Sequence, residues 1–168
     1  SGNNLILKRM KRRHSREQII NFCNKVRSIR KDVVFGADLI AGFPTENQKM
    51  FEDSLRLIDE CDLTHLHVFP YSIRKFTPAS RMPQLSKEVI KIRAKILREK
   101  GQNQLKKYLS KQIGLSTSVL IENTKDNISY GKSQHFTKVK MNQVVKEGSI
   151  VNCKIINVEK NILQTELL

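Results

Sequence analysis

The chain has 168 residues, with 31 Lys+Arg against 16 Asp+Glu, a formal charge of +15, 39% hydrophobic residues and no Trp. That length suits one ordinary domain or two small ones, and the apolar residues fall in periodic blocks, which argues against wholesale disorder. No stretch approaches the roughly 18 uninterrupted apolar residues of a membrane helix, and the basic start lacks the apolar run of a secretory signal, so the expected address is the cytoplasm, away from membranes. Cys23, Cys61 and Cys153 are an odd number too widely spaced for a disulfide framework or a CxxC-type metal site, and they read as reduced core thiols.

A surplus of positive charge this large is usually tolerated because a polyanion neutralises it in use, which makes nucleic acid the first partner to consider. The charge is uneven. Residues 1–30 carry nine basic and one acidic side chain, residues 31–86 six and eight, residues 87–112 nine and two, and residues 113–168 seven and five.

In chain order, Ser15 and Gln18 have the spacing of a capping box, and Ile19, Phe22, Cys23, Val26 and Ile29 follow at helical intervals, predicting an amphipathic helix over 15–31. The apolar, β-branched run "VVFGADLIAGF" at 33–43 reads as a strand buried on both faces of a parallel sheet. Thr45 with Gln48 makes a second capping-box spacing, and Phe51, Leu55, Leu57 and Ile58 outline a helix to about Cys61. "THLHVFPYS" at 64–72 is the next strand, so strand, helix and strand in succession predict a parallel βαβ unit. The proline-spaced stretch 76–85 is irregular. Ser86 then caps a long basic helix carrying Val89, Ile90, Ile96, Leu97 and Leu105 to about residue 112, with Gly101 a point where it breaks in two. From Gly114 the pattern becomes five short alternating strands, the mark of a small barrel of the OB type.

Two strands and two helices leave sheet edges uncovered in the first part, and the chain begins without Met. Both features suit a fragment, a processed chain or a truncated reading frame.

Few residues offer chemistry by themselves. His14, His65, His67 and His135 lack metal-ligand spacing, and no nucleophile is assigned. At the end of the first strand, Asp38 is followed by the Gly-Phe-Pro-Thr-Glu turn. Ligands of parallel sheets collect at such ends, and Gly42 allows close approach to the backbone. Tyr71, Ser72 and Arg74 follow the second strand in the same way. "KRMKRRHSR" at 8–16 places six basic side chains in nine positions, a natural phosphate-contacting segment. In the last part Tyr130, His135 and Phe136 interleave with Lys132, Lys138 and Lys140, as base stacking along an RNA backbone requires. The competing assignment gives half of these aromatics to the core.

Three segments in order, "SGNNLILKRMKRRHSREQ", "DLIAGFPTE" and "FPYSIRKFTPASRMP", resemble the C-terminal part of the radical S-adenosylmethionine tRNA methylthiotransferases, nearest in flavour to the subfamily acting on threonylcarbamoyladenosine. The resemblance implies an α/β fold, with residues 1–110 the C-terminal part of a partial TIM-like radical SAM barrel and residues 111–168 a small OB-like, all-β TRAM domain that binds tRNA. It implies methylthiolation at C2 of a modified adenosine next to the anticodon, with S-adenosylmethionine and a 4Fe-4S cluster as cofactors. Carried over by position, Ser1, Asp38, Ile40, Gly42, Glu46, Tyr71 and Ser72 fall near the S-adenosylmethionine site. Lys8, Arg9, Lys11, Arg12, Arg13, Tyr130, Lys132, Phe136, Lys138 and Lys140 would face RNA.

The departures are as informative. The family's CxxxCxxC cluster motif is absent, so this chain alone is expected to bind tRNA without catalysing, possessing no metal ligands or catalytic residues of its own. Thr45 stands for the second glycine of the family's Gly-Phe-Pro-Gly-Glu, a mild change, whereas Phe76 puts a large aromatic where the family's glycine permits a tight turn, which sets the geometry of the loop after the second strand against the family pattern. Three readings follow: part of the enzyme, paired with a separate N-terminal half; a stand-alone RNA-binding accessory module; or a non-catalytic remnant.

Overall fold

The computed structural model describes residues 1–168, which divide into two compact units, Ser1–Gln104 and Leu105–Leu168. In the first unit a six-residue helix α1 (Asn4–Arg9) starts from Asn3, whose side chain accepts from the Leu5 and Ile6 N–H groups. This helix is too short to show any periodicity and was not expected. Next comes α2 (Arg16–Ile29), closed at its start by the Ser15–Gln18 capping box as predicted. Strand β1 (Phe35–Ala41), helix α3 (Gln48–Glu60) and strand β2 (Leu63–Pro70) then form the expected βαβ unit, with β1 and β2 parallel and Asp38 opposite His67.

The core of this unit gathers Cys23 from α2, Leu39 and Ala41 from β1, and Phe51, Leu57 and Ile58 from α3 on one side of the sheet. Each large apolar side chain so buried contributes on the order of 2 kcal/mol. Phe22 and Ile29, expected on the buried stripe of α2, are 61% and 78% exposed, so that stripe is narrower than its spacing suggested. The expectation of a β1 buried on both faces is also corrected: Gly36 and Asp38 are exposed, because the sheet has two strands and layers only one of its faces.

Two further expectations fail for tertiary reasons. Asn47, not Thr45, caps α3: its side-chain oxygen accepts from Met50 N at 2.9 Å, while Thr45 sits in the left-handed region at φ 69°. Helix α4 (Lys87–Gln112) runs unbroken through Gly101. A Cβ there would lie 2.9 Å from Leu66 Cδ1, so the glycine serves close packing of α4 on β2 rather than a break. The buried positions of α4 in this unit are Arg93, Ala94, Leu97, Gly101 and Gln104, and Ile96 of the expected apolar stripe is 38% exposed.

The second unit is a closed barrel of β3 (Ser116–Lys125), β4 (Ile128–Ser133), β5 (Lys138–Met141), β6 (Ile150–Glu159) and β7 (Ile162–Leu167) in the order β3-β4-β5-β7-β6. All pairs are antiparallel except β5 with β7. Its interior holds Val119, Ile121, Val139, Met141, Ile155 and Leu163, and Leu109 of α4 is fully buried against them. Along β3 to β5 the burial alternates strictly enough to send Tyr130, Lys132, Lys138 and Lys140 to the outer face.

Candidate functional site

At the C-terminal end of the parallel sheet the two post-strand loops lie together. Tyr71 N donates to Ala41 O at 2.9 Å, and the Tyr71 ring stands edge-on to Phe43 with centroids 5.4 Å apart. The Tyr71 hydroxyl oxygen is buried without a hydrogen-bond partner, and Ser72 is exposed beside it.

The turn after β1 is held from within. Glu46, 3% exposed, accepts from Gly42 N at 3.3 Å and from Arg93 Nη1 at 2.8 Å, and the same Arg93 nitrogen donates to the Glu46 carbonyl at 2.8 Å. Burial pushes the Glu46 carboxyl above the usual range, against the pull of the Arg93 guanidinium and the Gly42 N–H. Arg93 was missed in the sequence because a lone arginine on a basic helix has no local sign of burial. Its partner lies 47 residues upstream.

Ser1, Asp38 and Ile40 line one cavity of about 290 Å³ beside β1, together with Arg12, His14 and Cys23. Gly42, Glu46, Tyr71 and Ser72 are not among its walls, so the seven candidate positions fall into two groups rather than one pocket. Cys23 and Cys61 are buried neighbours. Burial, followed by the proximity of Cys23, pushes the Cys61 thiol up to about 12, which keeps it protonated at neutral pH and removes it as a nucleophile. No three His, Cys, Asp or Glu side chains are grouped to hold a metal ion.

The basic segment is displayed by the end of α1. Arg12 N reaches back to Leu7 O at 3.0 Å over Lys11, whose φ is 60°, and this reversal leaves Lys8, Lys11, Arg12 and Arg13 exposed. Arg9 is half-buried and donates to Thr45 Oγ1.

On the barrel, Lys132 is directly opposite Lys138, and Tyr130 is opposite Lys140. Like charges facing each other across strands are destabilising unless an anion relieves them. Glu122 Oε1, 3.3 Å from Lys132 Nζ, offsets one of the three lysines on this face. Phe136, in the β4–β5 turn at φ 58°, is 79% exposed, while Tyr130 is half-buried. The aromatic set is thus split between solvent and the barrel wall.

No protein-family model matches the sequence. Over 168 residues, the whole of this chain, it is 47% identical to threonylcarbamoyladenosine tRNA methylthiotransferase MtaB of Rickettsia prowazekii (strain Madrid E), covering 39% of that protein. The chain belongs to the radical S-adenosylmethionine tRNA methylthiotransferase family. It is also 34% identical over 171 residues to the MtaB protein of Chlamydia pneumoniae, covering 41% of it. With the tRNA-2-methylthio-N(6)-dimethylallyladenosine synthase of Ehrlichia chaffeensis (strain ATCC CRL-10679 / Arkansas) it shares 33% identity over 168 residues and 38% of that protein's length. The chain spans about two fifths of the length of the curated relatives it matches.

Both positions at which this member of the methylthiotransferase family lacks the family's glycine keep a glycine-like backbone: Thr45 at φ 69° and Phe76 at φ 66°. The loop after β2 therefore keeps its tight turn, closed by Thr77 N donating to Arg74 O at 3.3 Å, and the conflict is carried as strain at Phe76. A bulky residue in the left-handed region costs about 1–2 kcal/mol, and the Phe76 ring, 95% exposed, recovers none of it by burial. Glycine's larger unfolded-state entropy cancels part of the gain, so Phe76→Gly is expected to stabilise the chain by about 1 kcal/mol. An unchanged or lowered midpoint in urea unfolding would contradict the strain.

Proposed function

We propose that this chain is the C-terminal portion of an enzyme that methylthiolates C2 of a modified adenosine next to the anticodon of a cytoplasmic tRNA, and that its own share of the work is to grip the tRNA. The observation that carries this reading is 47% identity along all 168 residues to a threonylcarbamoyladenosine tRNA methylthiotransferase. The parallel pair β1–β2 with its outer helices suits the end of a partial TIM-like barrel, and the five-stranded barrel suits a TRAM domain of OB type. Tyr130, Lys132, Phe136, Lys138 and Lys140 supply what an RNA face needs: cations that require an anion, and aromatic surface beside them.

In the family, a 4Fe-4S cluster cleaves S-adenosylmethionine. Cys23, Cys61 and Cys153 do not fit such a cluster, since each is buried in a core and no three thiolates converge. The cluster ligands would come from a separate N-terminal half, and no chemical step is assigned to this chain alone. The exposed Asp38 carboxylate, on the wall of the cavity beside β1, is the polar group this chain would offer S-adenosylmethionine there, while the Tyr71 hydroxyl is buried outside that cavity.

The test is tRNA binding by the whole chain as a function of salt. Affinity is expected to fall steeply as salt rises, and replacing Lys11, Arg12 and Arg13 together by alanine should flatten the log–log slope by roughly one for each phosphate no longer neutralised. An unchanged slope removes that segment from the interface, and no binding at low ionic strength removes the function.

A further inference from the structure

The loop after β2 combines three features that its fold does not need. Phe76 is held in the left-handed region at φ 66° with its ring 95% exposed, at a position where glycine would relieve the backbone. Two more large apolar side chains of the same segment, Phe69 and Ile73, are 52% and 57% exposed. Three large apolar side chains exposed within residues 69–76, from the end of β2 into the loop, exceed the single scatter of an ordinary surface and point to a contact surface.

The charge around it identifies the partner. From Leu63 to Lys87 there is no Asp or Glu, while Arg74, Lys75, Arg81 and Lys87 are all present and exposed. Arg74 and Lys75 occupy the same four-residue turn as Phe76. An aromatic ring at a turn apex, flanked by unopposed cations, is the pairing that stacks a base and holds its phosphates. The segment leaves the sheet at its C-terminal end, where Tyr71 N donates to Ala41 O, the last residue of β1, and ligands of parallel sheets gather at such ends. The second unit repeats the combination independently at Phe136, a positive-φ aromatic 79% exposed and close in sequence to Lys132 and Lys138.

We propose that Phe76 is a base-stacking platform for the RNA substrate, with Arg74 and Lys75 engaging the adjoining phosphates. This rests on the tRNA-binding reading above and adds an interaction that the family's glycine at this position does not make. The strained backbone is retained because it presents the ring to the RNA.

The experiment uses the full chain and an anticodon stem-loop RNA carrying a fluorescent adenine analogue next to the anticodon. The unsubstituted chain and Phe76→Tyr should bind and quench the fluorophore. Phe76→Ala and Phe76→Gly should each bind about tenfold more weakly, the scale of one lost stacked base, and lose the quenching. Urea unfolding separates this from a structural role, because Phe76→Gly should be more stable than the unsubstituted chain while binding less RNA. Unchanged affinity and quenching in both variants overturn the proposal and leave tRNA binding standing. Conversion of a dimer to monomers by Phe76→Gly, with RNA affinity unchanged, assigns the surface to a second copy of the chain and overturns it as well. If the unsubstituted chain binds no RNA at low salt, the function falls together with the stacking platform.

Discussion

Replacing Arg93 by methionine is expected to destabilise the chain by about 3 kcal/mol, with the loss growing as pH rises. The guanidinium donates from Nη1 to both the carboxylate and the carbonyl of Glu46, each at 2.8 Å, and its Cζ lies 5.1 Å from the Phe51 ring centroid. Methionine keeps the packing against Phe51 and removes the charge, leaving Glu46 with only the Gly42 N–H for its carboxylate. Burial already raises the Glu46 carboxyl above its ordinary 4.5, and without Arg93 it rises further. A group whose folded value lies above its unfolded value contributes stability that is fully present below the unfolded value and lost as pH rises through the folded one. The penalty of Arg93→Met should therefore grow as pH rises and shrink as pH falls toward the ordinary carboxyl value of 4.5. Adding Glu46→Gln should recover much of it, since no charge is then buried alone. Urea titrations at two pH values decide the matter, and an equal loss at both would show that Glu46 is not the group responsible.

Gly131→Ala should disrupt the barrel by about 3 kcal/mol. A Cβ at this position would stand 2.1 Å from Leu120 O and 2.9 Å from Leu120 C, and both are backbone atoms that cannot turn away. Gly131 faces Ile121 at the point where the β3–β4 register slips between Ile121 and Asn123. Making room there means opening the β3–β4 ladder and shifting β4, whose other edge aligns Tyr130 and Lys132 with Lys140 and Lys138 of β5. Loss of slow-exchanging amides across β3 and β4, together with weaker tRNA binding, is the expected result. A barrel that keeps its amide protection would show that the ladder tolerates the methyl group.

These two positions show where reading the chain stops being sufficient. The Ser15–Gln18 capping box was legible because its bonds span three residues. The βαβ unit was legible because period and strand chemistry are local, and the three ordered motifs were enough to identify the family. Thr45 looked like a cap by the same local rule, yet Asn47 took the role once Thr45 was held at φ 69° with Arg9 on its hydroxyl. Gly101 looked like a helix break by propensity alone, and the reason for it, Leu66, stands on a strand 35 positions earlier. Tyr71 and Asp38 were legible as residues at a strand end, but their assignment to different surroundings depended on which loops meet.

What the amino-acid order determined by itself is the content of most segments: the capped start of α2, which runs are strands, where positive charge concentrates, and which family the chain belongs to. These follow from hydrogen bonds and side-chain periods that close within a few residues. Tertiary structure alone decided the burial of Arg93 on Glu46, the closure of the barrel by parallel β5 and β7, the facing of Lys132 and Lys138, and the retention of a glycine backbone at Phe76. Each of these compares the energy of groups far apart in the chain, where packing and desolvation outweigh local preference.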